Sequence, residues 1–138
     1  MKAGIFDPYL DTLGGGERYT LNIATCLARK GHQVNILPPA HLNQQKITQR
    51  LGINLKGIDF VPNIFCASRC RRWQAMRVYD LLFYLSDGSL PFLFAKKNLL
   101  HFQVPFHNVA GRGILNQLKL KKIKRVICNS QFTKKRID

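Results

Sequence analysis

Acidic residues are scarce in this sequence, and glutamate is almost absent. Its 138 residues include 22 lysines and arginines but only 7 aspartates and glutamates, and Glu17 is the sole glutamate. The formal net charge of +15 favours polyanions, acidic membrane surfaces or phosphorylated ligands as partners, although it is also compatible with simple solubility. Charge of this kind says nothing about the fold, which must be read from the apolar pattern.

Long apolar runs are missing as well. The most apolar stretch, residues 81–95, is broken by the segment 86–88 and by Pro91, so its runs fall far below the roughly 18 residues that a membrane span requires. Asp7 and Pro8 interrupt the first apolar run, which argues against a signal peptide. We therefore expect a cytoplasmic protein, with peripheral attachment to the cytoplasmic membrane face as a further possibility.

Cysteine is limited to four positions, which suits a cytosolic protein. Cys26 falls in a helix pattern and Cys128 in a strand pattern, so we expect both to be small buried hydrophobes. Cys66 and Cys70 are separated by three residues, but no second Cys or His pair stands at the spacing of zinc ligands. We predict no metal site.

Apolar strand patterns alternate with helix patterns along the chain. Predicted strands cover residues 3–6, 33–37, 58–63, 81–86, 98–104 and 125–129; predicted helices cover 17–30, 43–51, 71–80, 114–124 and a segment starting at Ser130. The predicted strand 81–86 is continuously apolar up to Leu85, which is typical of a strand buried on both faces of a parallel sheet. This alternation predicts a single α/β domain built on a doubly wound parallel sheet.

Three consecutive glycines, Gly14, Gly15 and Gly16, stand between the first strand and the first helix. In a doubly wound sheet this corner lies at the carboxyl edge, where ligands bind. Unpaired amides and the positive end of the helix dipole favour an anion there, and glycine lets it approach the backbone. The pattern matches neither the dinucleotide fingerprint nor the P-loop, and a merely flexible turn is the alternative.

Five segments in order carry a resemblance: "GGGER", "LARKGHQVNIL", "YDLLFYLSDGSLP", "LLHFQVPF" and "VICNSQFTKKRID". Together they resemble the N-terminal domain of a family-4 glycosyltransferase, over essentially the whole chain. The resemblance implies a Rossmann-like domain over residues 1–138, one of the two facing domains of the GT-B fold of these retaining enzymes.

The resemblance also implies roles for particular residues. The glycine loop would lie near the diphosphate of a nucleotide-sugar donor, which suits Gly14, Gly15 and Gly16. His101 matches a histidine that faces the cleft near the transferred sugar and is our candidate catalytic residue, with His107 as a weaker substitute. Each reading has a simpler alternative, which for His101 is a hydrogen-bonded histidine at a strand end.

Three further residues are candidate substrate contacts. Asp87 would orient an acceptor hydroxyl from a strand end, or it simply forms the turn before Gly88. Glu17 would contact substrate, although an acid in the first helical turn needs no further explanation. Ser130 would lie near the ligand or serve only as the N-cap of the last helix.

The sequence departs from the family pattern in one large respect. The family's donor-binding domain carries two glutamates eight positions apart, and a chain whose only glutamate is Glu17 cannot contain them. We therefore expect the acceptor-side domain alone, truncated before a donor-binding domain that would be on the same or a separate chain. It would serve transfer of a sugar from a nucleotide sugar to a glycan or lipid-linked acceptor. Alone it would be inactive; no cofactor is expected.

Cations crowd two segments, which are Lys119 to Arg125 and Arg69 to Arg77. Because many family members work at a membrane through a basic face, an anionic membrane surface is a possible partner. A solvated helix face, or a surface that meets the absent domain, is the alternative.

A basic nucleic-acid-binding module is the rival function, and a non-catalytic subunit that presents the acceptor is a third. The aromatics Phe83, Tyr84, Phe92 and Phe94 lie in apolar, strand-like runs and not between cations, as a base-stacking platform would require. No helix-turn-helix, zinc-finger or RNA-recognition signature is present. We expect nucleic acid not to be the partner.

Overall fold

A six-stranded parallel sheet forms the centre of the molecule. A computed structural model describes residues 1–39, 42, 44–106 and 113–137. The strands are β1 (Lys2–Phe6), β2 (Gln33–Leu37), β3 (Ile58–Phe60), β4 (Leu81–Leu85), β5 (Lys97–Phe102) and β6 (Arg125–Cys128). The helices are α1 (Gly15–Arg29), α2 (Gln44–Leu51), α3 (Arg69–Arg77), α4 (Ile114–Leu120) and α5 (Gln131–Ile137), with a 3₁₀ turn at Ile64–Cys66. No helix within these ranges is long and apolar enough to cross a bilayer.

The strands are arranged in the order β3-β2-β1-β4-β5-β6, and every neighbouring pair is parallel. At the centre, Ile5 of β1 pairs with Ile36 on one side and with Phe83 on the other. The chain therefore winds outward in both directions from β1 and β4, as in Rossmann-like folds. The predicted α/β class and doubly wound parallel sheet are confirmed.

Successive side chains of each strand enter two separate cores. One core, on what we call the α1 face, includes Ile5, Leu21, Ile36, Ile47 and Phe83. The other, on the α3 face, includes Phe6, Met76, Leu82, Tyr84 and Leu100. Helices therefore cover both sides of the sheet, with α1 and α2 on one face and α3 and α4 on the other. This layering leaves the carboxyl ends of the strands as the open edge.

Several predicted boundaries were too generous. β3 ends at Phe60 because Pro62 has no N–H to continue the ladder. α3 ends at Arg77, so Tyr79 lies in a turn, although it is still buried as its spacing suggested. α4 ends at Leu120, where the chain turns into β6. The predicted ends of these elements lie too far along the chain, because buried residues continue into the turn that follows each element.

The link between β4 and β5 contains no helix. Residues 86–96 form a loop whose Leu90, Leu93 and Ala95 cover the α3 face of the sheet. Phe92 and Phe94 lie in this loop, so their strand-like interpretation is wrong, and Phe92 is 40% exposed. Lys119 Nζ lies 5.3 Å from the centre of the Phe92 ring, which places this aromatic beside a cation after all.

The cysteines behave differently from the prediction. Cys26 is exposed, because the buried stripe of α1 runs through Leu21, Ala24 and Thr25 and leaves it outside. Cys128 is half-buried, while Cys66 and Cys70 are both exposed. Across the part of the chain that the structure describes, no three metal-ligating side chains come together.

Candidate functional site

A cleft of about 590 Å³ opens at the carboxyl edge of the sheet, between the start of α1 and the ends of β5 and β6. It is lined by residues from these three elements, among them Gly15, Gly16, Tyr19, His101, Gln103 and Asn129. Gly15 and Gly16 thus line the same cleft as His101, although they lie far apart from it in sequence, whereas Gly14 is not among the described lining residues.

The loop between β1 and α1 holds the glycine corner in place from inside. Leu13 has a φ of 54°, a left-handed conformation that is costly for leucine, but its side chain is buried in the α1-face core. Next to it, the N–H of Gly14 donates to Glu17 Oε2 at 2.5 Å. Glu17 is itself buried. Its carboxylate therefore caps α1 and offsets part of the positive potential at the helix start.

Gly15 and Gly16 are the first two residues of α1, whose N–H groups have no acceptor within the helix. A Cβ on Gly15 would meet no atom within 4 Å. A Cβ on Gly16 would collide with the end of the Gln103 side chain, whose Nε2 donates to the Gly16 carbonyl at 3.2 Å. Glycine at position 16 is explained by its neighbour, whereas packing gives no reason for glycine at position 15.

His101 lies near the end of β5 on the α1 face and is only 1% exposed. Its ring lies between Tyr19 and Phe83, at centroid distances of 5.2 and 5.4 Å. Neither ring nitrogen has a hydrogen-bond partner among the described residues. Leaving buried polar atoms unpaired costs roughly 1–3 kcal/mol each, which a fold tolerates where a ligand completes them.

Burial lowers the pKa of His101 below its ordinary value of 6.5. The imidazole is therefore neutral at pH 7, with one nitrogen that donates and one that accepts. Such a ring matches a hydroxyl group, which can both donate and accept. Among the described residues, no hydrogen bond of the kind expected for a satisfied histidine at a strand end reaches this ring.

The model of Glycosyltransferase Family 4 matches residues 13–138. This chain belongs to glycosyltransferase family 4. No curated protein and no solved structure matches it significantly. The match begins at residue 13, in the loop before α1, and covers β2 to β6 but not β1, so every lining residue of the cleft of this family-4 domain lies within it.

Two residues of the family-4 cleft were not singled out from the sequence. Gln103 follows His101 by two positions and holds the Gly16 carbonyl, and Tyr19 covers the His101 ring from the first turns of α1. Asn129 Nδ2 donates to the Gln103 carbonyl at 2.6 Å, which ties β6 to β5. The available signal for Gln103 was a polar residue at the carboxyl end of an apolar strand.

Neither Asp87 nor Ser130 is among the described residues that line this cleft. Asp87 Oδ1 accepts from the N–H and hydroxyl of Ser89, and Gly88 between them has a φ of 96°. This geometry supports the turn-forming alternative for Asp87. Ser130 Oγ accepts from the Thr133 N–H at 3.0 Å, as an N-cap does. His107 lies outside the described residues.

Asp7 is a titratable group that the sequence did not reveal. It ends the central strand β1, is fully buried, and accepts the Tyr9 N–H at Oδ1, 2.9 Å away. Its Oδ2 has no partner among the described residues. Burial, with smaller contributions from the Glu17 and Asp11 carboxylates, raises the pKa of Asp7 to about 6. The loop that supports the cleft thus contains a carboxyl group that titrates near neutral pH.

Proposed function

We propose that this chain is the acceptor-side domain of a glycosyltransferase that moves a sugar from a nucleotide-sugar donor to a glycan or lipid-linked acceptor. Family membership supports the general activity. The observation that carries the proposal is His101, whose buried and unpaired imidazole lines the same cleft as the bare helix start at Gly15. Both features cost stability in the free protein, and a bound sugar nucleotide would offset both.

The two groups would have separate tasks. The open space at Gly15 would let the donor diphosphate reach the unpaired amides of the first helical turn. His101, neutral at pH 7, would exchange hydrogen bonds with a hydroxyl of the transferred sugar and so fix its orientation. Because Glu17 already occupies the Gly14 amide, we assign the anion contact to Gly15 and Gly16 and a capping role to Glu17.

Catalysis would require a second domain on the other side of the cleft. The charge that develops on a transferring sugar and its leaving diphosphate is stabilised by groups preorganised on all sides of a closed cleft. This family-4 domain supplies one side, and its single glutamate, Glu17, is committed to its own helix. We propose that transfer needs a donor-binding domain, covalently attached or separate, and that the isolated chain is inactive.

A transfer assay tests the proposal. The chain is assayed alone and fused to the donor-binding domain of a family-4 enzyme, with labelled UDP-glucose and GDP-mannose and a lipid-linked acceptor extract. We expect transfer only from the fusion. His101→Leu in the fusion should lower the rate roughly 10- to 100-fold, as expected for losing a hydrogen bond that orients the reacting sugar.

The matched control is His32→Gln in the same fusion. His32 precedes β2 and therefore lies at the amino edge of the sheet, away from the cleft, so the rate should not change. Thermal melting of each variant separates loss of function from loss of fold. Transfer by the isolated chain, or full activity of the His101→Leu fusion, would overturn the proposal.

A further inference from the structure

The imidazole of His101 is shielded from the cleft in the free chain. The residue is almost fully buried, and both ring nitrogens are out of contact with solvent and have no hydrogen-bond partner among the described residues. A nitrogen that water does not reach is also closed to the hydroxyl group of a substrate. If His101 binds a sugar as proposed, a group that covers its ring has to move when the ligand arrives.

The neighbours of His101 within the sheet are fixed in place. Leu85 of β4 and Ile127 of β6 stand beside it in the parallel ladders, and the buried Phe83 contacts its ring from β4. The N–H of Ser86 donates to the His101 carbonyl at 2.8 Å, which holds β5 against β4. Moving these groups would disrupt strand pairing or open the core, so the movable group has to come from another element.

Tyr19 is the neighbour of His101 that is free of the sheet. It belongs to α1, its ring centroid lies 5.2 Å from that of His101, and 46% of the residue is exposed. Its ring can therefore turn further into solvent without breaking a strand pair. Exposed side chains change rotamer within nanoseconds, which is much faster than enzymatic turnover.

Tyr19 also lies on the same side of α1 as the bare helix start. It follows Gly15 by four positions and Gly16 by three, and residues at these spacings are neighbours on a helix surface. All three residues line the cleft together with His101. A diphosphate held by the Gly15 and Gly16 amides would therefore bring its sugar against the Tyr19 ring.

We infer that Tyr19 is a movable cover of His101, and that a bound sugar nucleotide displaces its ring to bring a sugar hydroxyl to the imidazole. The ligand part of this inference rests on the proposed function, whereas the cover is a property of the free chain. Tyr19 acts through His101 and is therefore a positioning residue. Its ring keeps water from the unpaired nitrogens until the hydroxyl replaces it.

A fixed cover is the alternative, in which His101 is an ordinary core residue. Two unpaired nitrogens would then be buried with nothing to compensate them, whereas buried polar atoms are ordinarily paired. Gln103 is a less suitable cover, because its Nε2 is held by the Gly16 carbonyl at 3.2 Å. A partly exposed tyrosine over a buried imidazole fits a cover that opens.

Acylation of the full chain by diethyl pyrocarbonate measures the cover without a ligand. A neutral imidazole nitrogen attacks a carbonyl carbon of the reagent, and the leaving ethyl carbonate takes the ring proton and breaks down to ethanol and carbon dioxide. Peptide mass spectrometry reads each histidine separately, with the half-buried His32 as internal reference. In the parent we expect His101 to react about tenfold more slowly than His32, as for an open state that is populated at roughly 10%.

Three variants identify the group that covers the ring. Tyr19→Ala should raise the His101 rate about tenfold with the His32 rate unchanged, and Tyr19→Phe, which keeps the ring, should react as the parent does. The matched control is Tyr9→Ala, since Tyr9 is 39% exposed but is not among the described residues that line the cleft. Because burial lowers the pKa of His101, Tyr19→Ala should also raise this pKa toward 6.5 in an NMR titration.

Ligand titration connects the cover with binding. A binding-competent state populated at roughly 10% lowers the apparent affinity about tenfold, so Tyr19→Ala should tighten binding of UDP-glucose by about that factor. The Kd of inorganic pyrophosphate should not change, because pyrophosphate needs only the helix start. In the His101→Leu background, Tyr19→Ala should have no effect on UDP-glucose binding, since the cover acts through the imidazole.

Three results would overturn the inference. They are a parent in which His101 reacts as fast as His32, a Tyr19→Ala variant in which His101 stays as unreactive as before, and tightening of UDP-glucose binding that persists in the His101→Leu background. If Tyr19→Ala unfolds the chain, both histidines react faster together, and Tyr19→Leu, a good helix former without a ring, takes its place with the same expectation.

The two proposals fail in different ways. If neither UDP-glucose nor pyrophosphate binds to any variant, the proposed function and the ligand part of this inference are both wrong, even where the acylation rates show a cover. If UDP-glucose binds to the parent and to Tyr19→Ala with the same Kd and acylation of His101 is unchanged, the cover alone is wrong and the proposed function stands.

Discussion

At the scale of single residues, Gly15 gives the proposed ligand site its most testable feature. Glycine in the first turn of α1 costs conformational entropy, and a Cβ at this position would have no neighbour within 4 Å. Gly15→Ala should therefore leave the free energy of unfolding unchanged or raise it by up to about 1 kcal/mol. Binding of UDP-glucose or GDP-mannose should weaken, because the methyl group occupies the space at the helix start.

Urea denaturation and ligand titration measure the two effects in one preparation. Gly16→Ala is the comparison, since its methyl group must displace the end of Gln103 and break a hydrogen bond to the Gly16 carbonyl. A Gly15→Ala variant that unfolds more easily than the parent would show an internal packing role and remove this argument.

Asp7 predicts a particular pH dependence of stability. Its pKa is about 6 in the folded chain and about 3.8 in the unfolded one, so the folded state binds the proton more tightly. The contribution of Asp7 to the free energy of unfolding is therefore most favourable below pH 4. It decreases as the pH rises to 6, by at most about 3 kcal/mol. Asp7→Asn, which keeps an oxygen for the Tyr9 N–H, should abolish this loss.

The measurement is the difference in unfolding free energy between Asp7→Asn and the parent, followed from pH 4 to pH 7. As the pH rises, the variant should become more stable relative to the parent, and the difference should level off above about pH 6. Asp59→Asn, at an exposed position of β3, is the matched control. A difference that stays constant across this range would contradict the burial of a titrating carboxyl at the end of β1.

At the scale of elements, α5 depends on its cap. Ser130 Oγ accepts the Thr133 N–H, and Thr133 Oγ1 donates to Asn129 Oδ1 at 2.9 Å. Ser130→Ala should cost about 1 kcal/mol of local stability and speed amide hydrogen exchange in α5. Ser130→Thr should restore protection. If Ser130→Ala instead abolishes ligand binding with α5 still protected, Ser130 acts as a ligand contact.

The elements themselves were largely predictable, because the strands centre on short apolar stretches and α1 has its buried residues at helical spacing. The run 81–86, buried on both faces, is the clearest case, since only a central parallel strand needs it. The predictions failed where local features competed with the apolar pattern. Pro62 shortened β3, and the aromatics at 92 and 94 entered a loop because Leu90 and Leu93 supply the burial there.

The site was predictable only in part, for a similar reason. Strand-end positions located the Gly15 corner and His101 at the same edge of the sheet. Sequence could not show that the His101 nitrogens have no partner among the described residues, or that Glu17 turns back onto Gly14. Both depend on which side chains meet across the fold. Asp7 escaped notice because an aspartate before proline is ordinarily a turn former.

At the scale of the whole molecule, the two layers that cover the sheet differ in character. The winding of the sheet around β1 and β4 opens the cleft on the α1 face, while α3 and α4 gather exposed apolar residues and cations on the other. The chain would thus meet substrate along the carboxyl edge of the sheet.

The central claim is that Gly15, Gly16 and His101 form one ligand site. The most direct test is an NMR titration of the ¹⁵N-labelled full chain with UDP-glucose, GDP-mannose and inorganic pyrophosphate. The account predicts that the sugar nucleotides shift the Gly15 and Gly16 amides and the His101 ring nitrogens together, with one apparent Kd and no change at His32. Glycine and histidine signals that move with different Kd values, or not at all, would contradict it.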